Sequence, residues 1–450
     1  MILSIKKGLI GLRITFRGGI HPRERYGGKS LTGKLPVEAM PAPAQVAILL
    51  GQHVGAPCKC LVKAGDRVLL GQKIGEPAGF MGAPVHASVS GTVKAVVTRT
   101  TAAGTPGDAV LIENDFSDEW DPSVVPFEGD PLQADPALLR SRIREAGCVG
   151  LGGACFPTQV KLSPPEDKPI DTVILNGAEC EPYLTGDHRA MLEKSGLIAD
   201  GLRLAMHILG AARGVVAVED NKPDAAECMR AAVREIPGAS VRLLKAKYPQ
   251  GGEKQLIDVV TGREVPSGGL PMDAGCVVMN VSSAAAVSEA VREGKPLIER
   301  TLTVSGLVAR PANLRVRIGT SIGEVLDACG GPVGSPNRLI LGGPMMGLSG
   351  YDLATPVAKG TSGLVLLRDD APEHTPAGNC IRCGACVNAC PMHLMPLELS
   401  RLASRGDFEG CKKLHAMDCI ECGSCSYGCP ARLPLVHNIR VAKRYLARKR

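Results

Sequence analysis

Cys380-Ile-Arg-Cys383-Gly-Ala-Cys386-Val-Asn-Ala-Cys390-Pro391 and Cys419-Ile-Glu-Cys422-Gly-Ser-Cys425-Ser-Tyr-Gly-Cys429-Pro430 decide how the C-terminal part of this chain folds. Both runs spell C-x2-C-x2-C-x3-C-P, the spacing that wraps three thiolates around a cubane 4Fe-4S cluster while the fourth Cys serves the other cluster. One cluster is expected on Cys380, Cys383, Cys386 and Cys429, the other on Cys419, Cys422, Cys425 and Cys390. Gly384 and Gly423 let the backbone curl close to the sulfides, and Pro391 and Pro430 turn the chain away. Structural zinc usually shows C-x2-C pairs instead. Between the runs lie 28 residues, with Asp407 as an N-cap before FEGCKKLHAM, so a helical ferredoxin-like module is expected, with Cys411 a packed thiol. Two such clusters carry one electron each. Something upstream must load them.

Working outward, 450 residues leave room for about three domains. With 44% apolar and 22% charged residues, ordinary cores are expected. Seventeen cysteines, eight of them in the two runs, fit intracellular metal ligands better than disulfides. One Trp, six Tyr and six Phe are too few for a stacked-base binder, and no nucleic-acid partner is expected. The net charge of +7 has one address: residues 431–450 hold seven Lys/Arg and no acid. The remainder is neutral, which speaks against a general nucleic-acid surface. No uncharged apolar run reaches the roughly 18 residues of a membrane span. The start, MILSIKKGLIGLRITF, scatters Lys and Arg through its apolar residues and lacks a signal-peptide core, so a soluble, non-secreted chain is expected. In the tail, Leu435, Ile439, Ala442 and Leu446 share one helix face; it could lie on anionic lipid, dock on a membrane partner, or simply be a soluble end.

From about residue 131 the pattern is α/β. Asp135-Pro136 reads as N-cap and N1, and Gly147 as the C-terminal stop. Strands are expected at 171–176, 214–220 and 240–246, with a short one at CVVMN before Asn280. A long helix pattern runs to about 212, and further helices are expected at 223–235 and 253–260. The alternation predicts a mostly parallel sheet. Three loops carry chemistry. Gly147 to Lys161 (GCVGLGGACFPTQVK) concentrates glycines whose N–H groups could cradle a phosphate, though it is not GxGxxG and follows a helix. Asn176-Gly-Ala-Glu179-Cys-Glu181 leaves a strand end, where open α/β sheets bind ligands. Tyr248-Pro-Gln-Gly251-Gly252-Glu253-Lys254 is the third. A flavin can take hydride from NADH and pass electrons on singly, so a flavin site beside the clusters is expected if NADH is the donor.

Residues 62–75 and 86–97 have the look of a lipoyl- or biotinyl-type barrel-sandwich with corners at Gly65-Asp66 and Ser90-Gly91. The stretch between them, EPAGFMGAPV, has no carrier lysine, so a structural barrel is expected, with His53 and His86 as packed histidines.

GCVGLGGACFPTQVK, ILNGAECEP, GGEKQLIDVVTG and MNV resemble, in order and spacing, the NADH- and flavin-binding subunit of respiratory complex I. Together with GGIHPRERYGGKS, the segment 301–331, LGGPMMG and the paired cluster runs, the whole chain resembles the C-subunit family of Rnf electron-transport complexes. The resemblance implies a multidomain α/β protein with four parts. These are an N-terminal barrel-sandwich-like β domain (1–130), a Rossmann-like α/β FMN/NADH domain (131–298), an SLBB β-grasp domain (299–368), and a C-terminal helical ferredoxin domain with two 4Fe-4S clusters and a basic tail (369–450). It implies that Gly150, Gly152 and Gly153 wrap FMN, with Lys161 near its phosphate or the nicotinamide nucleotide. Asn176, Glu179, Gly251, Glu253 and Asn280 would line the cofactor site, while Phe156 and Glu181 would hold NADH. Three positions depart from complex I: Ala178 for an acid, Gly252 for a Glu and Cys155 for a Gly. The implied function is electron input from NAD(H), through FMN and two clusters, in an ion-translocating NADH:ferredoxin oxidoreductase, with no separate proton-transfer residue. The implied partners are iron-sulfur, covalent-flavin and integral membrane subunits, and ferredoxin indirectly. The implied place is the cytoplasmic face of the cell membrane. A cluster-only relay and a cobalamin-reductase-type flavoprotein are the alternatives; the latter family lacks the long N-terminal block.

Overall fold

The computed structural model describes residues 14–368 and 377–448. The first thirteen residues, for which no signal-peptide core is expected, and the last two basic residues of the tail lie outside them.

The body of the chain is a four-stranded parallel sheet in the order Ala239–Leu244, Arg213–Glu219, Thr172–Gly177, Cys276–Asn280. Three of its strands read as nearly continuous apolar runs because both faces are covered, whereas the edge strand Ala239–Leu244 buries only Leu244. Val173, Leu175, Val216, Val218, Val277 and Met279 point into one core with the helices Ser195–Leu209 and Val281–Glu293. Ile174, Ala217 and Val278 point into the other, with Leu256, Ile257 and Val259 of the helix Glu253–Thr261. The helix Pro136–Glu145 starts as expected, the Asp135 carboxylate accepting from Ala137 N–H at 2.8 Å. One expectation changes. The long helical pattern to about 212 is two helices, Gly186–Glu193 and Ser195–Leu209, because Lys194 leaves helical geometry. The break frees the second helix to press against Val281–Glu293, where a Cβ on Gly201 would stand 2.0 Å from Ala284 O.

The barrel is present. Gln45–Leu49, Pro106–Asn114, Gly91–Thr100 and Arg67–Val68 form one antiparallel sheet, and Lys59–Cys60, Lys73–Glu76 and Val85–His86 the other. Val46, Ile48, Ile74, Val85, Val93 and Ile112 fill it. A third, six-stranded sheet holds Glu299–Gly306, Ala312–Arg317, Gly363–Leu367, Arg338–Leu341 and Leu348–Gly350, packed against the helix Ile322–Ala328. Its remaining strand, Val37–Ala39, comes from the N-terminal segment and runs parallel to Asn313–Arg315.

The cluster-bearing module is built from short helices, with Leu399, Ala403, Cys411, Ala416, Ile439 and Ala442 as its core. Asp407 caps Phe408–Lys413 through Gly410 N–H, and Cys411 is fully buried, both as expected. The C-terminal helix Leu435–Arg448 buries Leu435, Ile439, Ala442 and Leu446 in this module. Its apolar stripe is therefore consumed internally, which removes the face that would enter lipid. Arg440 and Lys443 pair with Glu421 at 2.9 and 2.7 Å. Among the described residues, no helix is long and apolar enough to cross a membrane.

Candidate functional site

Thr172–Gly177 lies inside the sheet with later strands added on both sides. Open α/β sheets bind ligands at such a reversal, beyond the carboxyl ends of the strands. The three loops singled out in the sequence meet there. Asn176 Nδ2 donates to Gly251 O at 2.9 Å, and Gly251 N–H points to Cys180 Sγ at 3.4 Å. A Cβ on Gly251 would meet the Asn176 amide at 3.2 Å, so glycine permits this approach. Lys161 Nζ bonds Glu253 Oε1 at 2.9 Å and Val278 O at 2.8 Å, and stands 6.0 Å from the centre of the Phe156 ring.

The glycine loop leans on the start of the helix Val281–Glu293. Leu151 N–H donates to Ser283 Oγ at 2.8 Å, and a Cβ on Gly152 would lie 3.6 Å from Asn280 Cβ. Gly150 N–H returns to Phe156 O at 2.8 Å and closes the loop. Gly153 has φ +103°, and nothing lies within 4 Å of where its Cβ would be. Residues 152–154 are exposed. This is an open backbone cradle beside a helix N-terminus, the arrangement that attracts phosphate. It fits the phosphate end of FMN.

Asn280 caps that helix through Ser282 and Ser283 N–H and donates Nδ2 to Asp187 Oδ2 at 2.6 Å. The Glu179 carboxylate accepts from Asp187 and His188 N–H at 2.7 and 3.1 Å, and so caps the helix Gly186–Glu193. Asp187 was missed by sequence reasoning. Burial, reinforced by Glu179, raises its pKa against the pull of Ser282, Arg300 and Asn280. Arg300 was missed too: buried, it donates to Leu151 O at 2.6 Å and Thr361 O at 2.9 Å, fixing the glycine loop from beneath. Lys29 reaches across from the N-terminal segment to Glu179 O at 2.9 Å and to Leu184 O. Asp187 and Arg300 sit in no motif, and Lys29, although part of GGIHPRERYGGKS, carries no chemical signature there; each acts on partners distant in sequence. Glu181 stands apart from this network. Its carboxylate accepts from Met345 N–H at 3.0 Å and Met346 N–H at 2.8 Å, and burial pushes its pKa up to about 7.

The two cysteine runs share one backbone path. Arg382 and Glu421 take φ +55° and +57°, and Gly384 and Gly423 take +76° and +77°. In each run the N–H of the positive-φ residue points back to the first sulfur at 3.4 Å, Arg382 to Cys380 and Glu421 to Cys419. Cys390, Cys419, Cys422 and Cys425 line one apolar cavity with Pro391, Leu394 and Ile439. These are the four thiols that spacing assigns to one cluster, the crossed-over Cys390 included. Among the described residues, no three or more His, Cys, Asp or Glu groups converge as a single metal ion would require. A chamber walled by four thiols fits a cubane. Cys386 and Cys429 are half-buried, and Cys380 and Cys383 are exposed, so the second set lies outward.

The inner chamber abuts the sheet. Tyr248, buried, donates its hydroxyl to Cys422 O at 2.8 Å. Gln255, two residues after Glu253, donates to Pro391 O at 3.2 Å. On the Glu181 side, a Cβ on Gly423 would lie 3.3 Å from Met345 O.

Comparison with known proteins agrees with this division. Residues 14–117 match the RnfC barrel sandwich hybrid domain, 143–289 the Nuo51 FMN-binding domain, 301–349 the SLBB domain and 379–433 the 4Fe-4S dicluster domain. The chain is 48% identical over 437 residues to the C subunit of the Na(+)-translocating ferredoxin:NAD(+) oxidoreductase complex of Acetobacterium woodii, covering 97% of this chain and 98% of that one. It is 45% identical over 407 residues to the proton-translocating counterpart of Clostridium ljungdahlii, covering 89% and 86%. It is 44% identical over 439 residues to the C subunit of the ion-translocating oxidoreductase complex of Rhodobacter capsulatus, covering 97% and 84%. The chain belongs to the family of C subunits of ion-translocating ferredoxin:NAD(+) oxidoreductase complexes.

Proposed function

We propose that this protein is the electron-input subunit of an ion-translocating NADH:ferredoxin oxidoreductase, exchanging electrons between NAD(H), FMN and two 4Fe-4S clusters. The observation that carries the reading is the shared wall between the glycine-loop cradle and the inner thiol chamber: Tyr248 and Gln255 belong to the loop and helix that frame the first and touch the backbone of the second. When bound, FMN supplies exchange between two-electron hydride chemistry and single electrons, which the clusters carry one at a time.

The residues divide the work. Gly150, Gly152 and Gly153 give FMN phosphate a bare backbone, and the helix capped by Asn280 adds its dipole. Lys161, held by Glu253, supplies a cation at the same end. Asn176 and Gly251 fix the floor. Phe156 and Glu181 flank the side open to NADH, with Glu179 securing the loop between strand and helix. Cys390, Cys419, Cys422 and Cys425 hold the inner cluster, and Cys380, Cys383, Cys386 and Cys429 the outer one, whose exposed thiols face the next carrier. That carrier belongs to the iron-sulfur, covalent-flavin and integral membrane subunits of the complex, which exchange electrons with ferredoxin. The chain sits peripherally on the cytoplasmic face of the membrane.

Anaerobic titration with NADH, following flavin and iron-sulfur absorbance together, tests this. Bleaching of both is expected. Reduction of the clusters by dithionite but not by NADH, with FMN added back, would leave a cluster-only relay.

A further inference from the structure

The barrel loop between Lys73–Glu76 and Val85–His86 is where a swinging-arm domain would carry its lysine; here it reads Pro77-Ala-Gly-Phe80-Met81-Gly82-Ala83-Pro84. This loop is anchored. Ala83 belongs to the same buried apolar cluster as Leu139 and Ile143 of the flavin-type domain. Lys359, itself buried, donates to Pro84 O and to Gly147 O, both at 2.7 Å, and so ties the loop to the residue that opens the glycine stretch. Gln159, buried on the short helix that carries Lys161, donates to Phe80 O at 2.7 Å. The neighbouring barrel loop is fixed to the same place, with Val54 N–H on Cys155 O at 3.1 Å. A Cβ on Gly55 would stand 2.4 Å from Met81 O, so the two loops touch backbone to backbone.

The side chains on this anchored backbone face outward. Phe80 is 61% exposed, Met81 46% and Val54 46%. They project from a rigid ledge whose backbone contacts, Cys155 and Gln159, bracket Phe156. Beyond Cys155 lies the exposed stretch 152–154. Phe156 is the only aromatic residue between 131 and 170, so the flavin-type domain offers little stacking surface of its own at this edge.

We infer that Phe80 and Met81, contributed by the barrel, form with Phe156 the wall against which the adenine base of NAD(H) stacks. The inference rests on the electron-input reading above and adds a binding role for the N-terminal domain. Adenine offers a planar π-face, and a fixed aromatic ledge gains stacking without ordering a mobile loop. The ledge adjoins the glycine loop that would hold FMN, so an adenylate seated on it keeps the dinucleotide beside the flavin.

The test uses the assembled complex carrying Phe80→Ala, Met81→Ala or both, assayed with NADH and, separately, with reduced nicotinamide mononucleotide, which lacks the adenylate, using ferricyanide as acceptor. KM for NADH should rise about ten-fold in the double variant at unchanged kcat. KM for the mononucleotide should not move, and Phe80→Trp should restore NADH binding. FMN content reports that the domain is intact. An unchanged KM for NADH, or an equal rise for both substrates, overturns the inference. So does loss of the variant subunit from the complex at unchanged KM, which would make the ledge a protein contact. If the unsubstituted complex oxidises neither nucleotide, the electron-input reading itself has failed, a distinct result.

Discussion

Glu181 carries a carboxylate in a place where ionisation is costly. Two backbone N–H groups favour the charged form, but burial outweighs them and its pKa rises from 4.5 to about 7. Ionisation therefore opposes folding: the penalty is absent below about pH 4.5, grows between there and 7, and is fully present above. Glu181→Gln should gain stability relative to the parent as pH rises from 5 to 8, by about 3 kcal/mol at most. Thermal unfolding at several pH values checks this, and a pH-independent difference would contradict it. Tyr248→Phe acts on the other side of the site. It leaves the buried Cys422 carbonyl without its donor and should cost about 1–3 kcal/mol in denaturant titrations followed by cluster absorbance. At this scale the cysteines were legible because a cluster dictates their spacing within a dozen residues. Asp187, Arg300 and Lys359 were not, since each gains its meaning from carbonyls or side chains brought near by folding.

Among the elements, the helix Val281–Glu293 does two jobs at one residue. Asn280 caps its first turn and also restrains Asp187. Asn280→Ala should cost about 1–2 kcal/mol through the lost cap alone. It also leaves the Asp187 carboxyl short of a donor beside the glycine loop, so FMN should wash out faster on gel filtration. Asn280→Asp keeps the cap but sets two carboxylates face to face, and should retain stability better than it retains FMN. Gly153→Ala places a Cβ at φ +103° and should cost about 1–3 kcal/mol of backbone strain, with a matching loss of flavin. The parallel strands were readable from apolar runs set between helices, and two capped helix starts from Asp135-Pro136 and Asp407; the Asn280 cap was not read. The break at Lys194 was not, because the apolar pattern continues through it. Nor was Val37–Ala39, a strand too short for any periodicity to register.

At the scale of the molecule, the cluster module and the sheet meet through polar contacts around the thiols: Tyr248 on the Cys422 carbonyl, Gln255 on the Pro391 carbonyl, and Gly268 N–H on the Asp418 carboxylate at 2.9 Å. Binding free energy of a metal centre is folding free energy when its ligands are buried. Stripping iron with a chelator and reductant should therefore loosen residues 377–448 first, exposing them to limited proteolysis, while the transition of the preceding sheets persists. Simultaneous loss of both would show that the clusters stabilise the whole chain. Three of the four parts were legible because each carries its own local pattern, and the β-grasp part through the family resemblance alone. The docking of the parts was not, since it is written in single residues scattered across them.

The N-terminal segment crosses all of these parts. Gly19 N–H bonds Ala389 O at 3.0 Å, Arg23 N–H bonds the Tyr427 hydroxyl at 2.8 Å, Arg25 N–H bonds the Tyr183 hydroxyl at 2.8 Å, and Val37–Ala39 completes a sheet begun near residue 300. The first stretch of this segment to leave the ribosome is thus among the last to find its seat. At roughly 5–20 residues per second, Gly19 waits some 20–70 s for Ala389 to be made. Tyr183, Tyr248 and the strand near residue 313 emerge earlier, so this segment is seated in steps, first on the sheets and last on the cluster module.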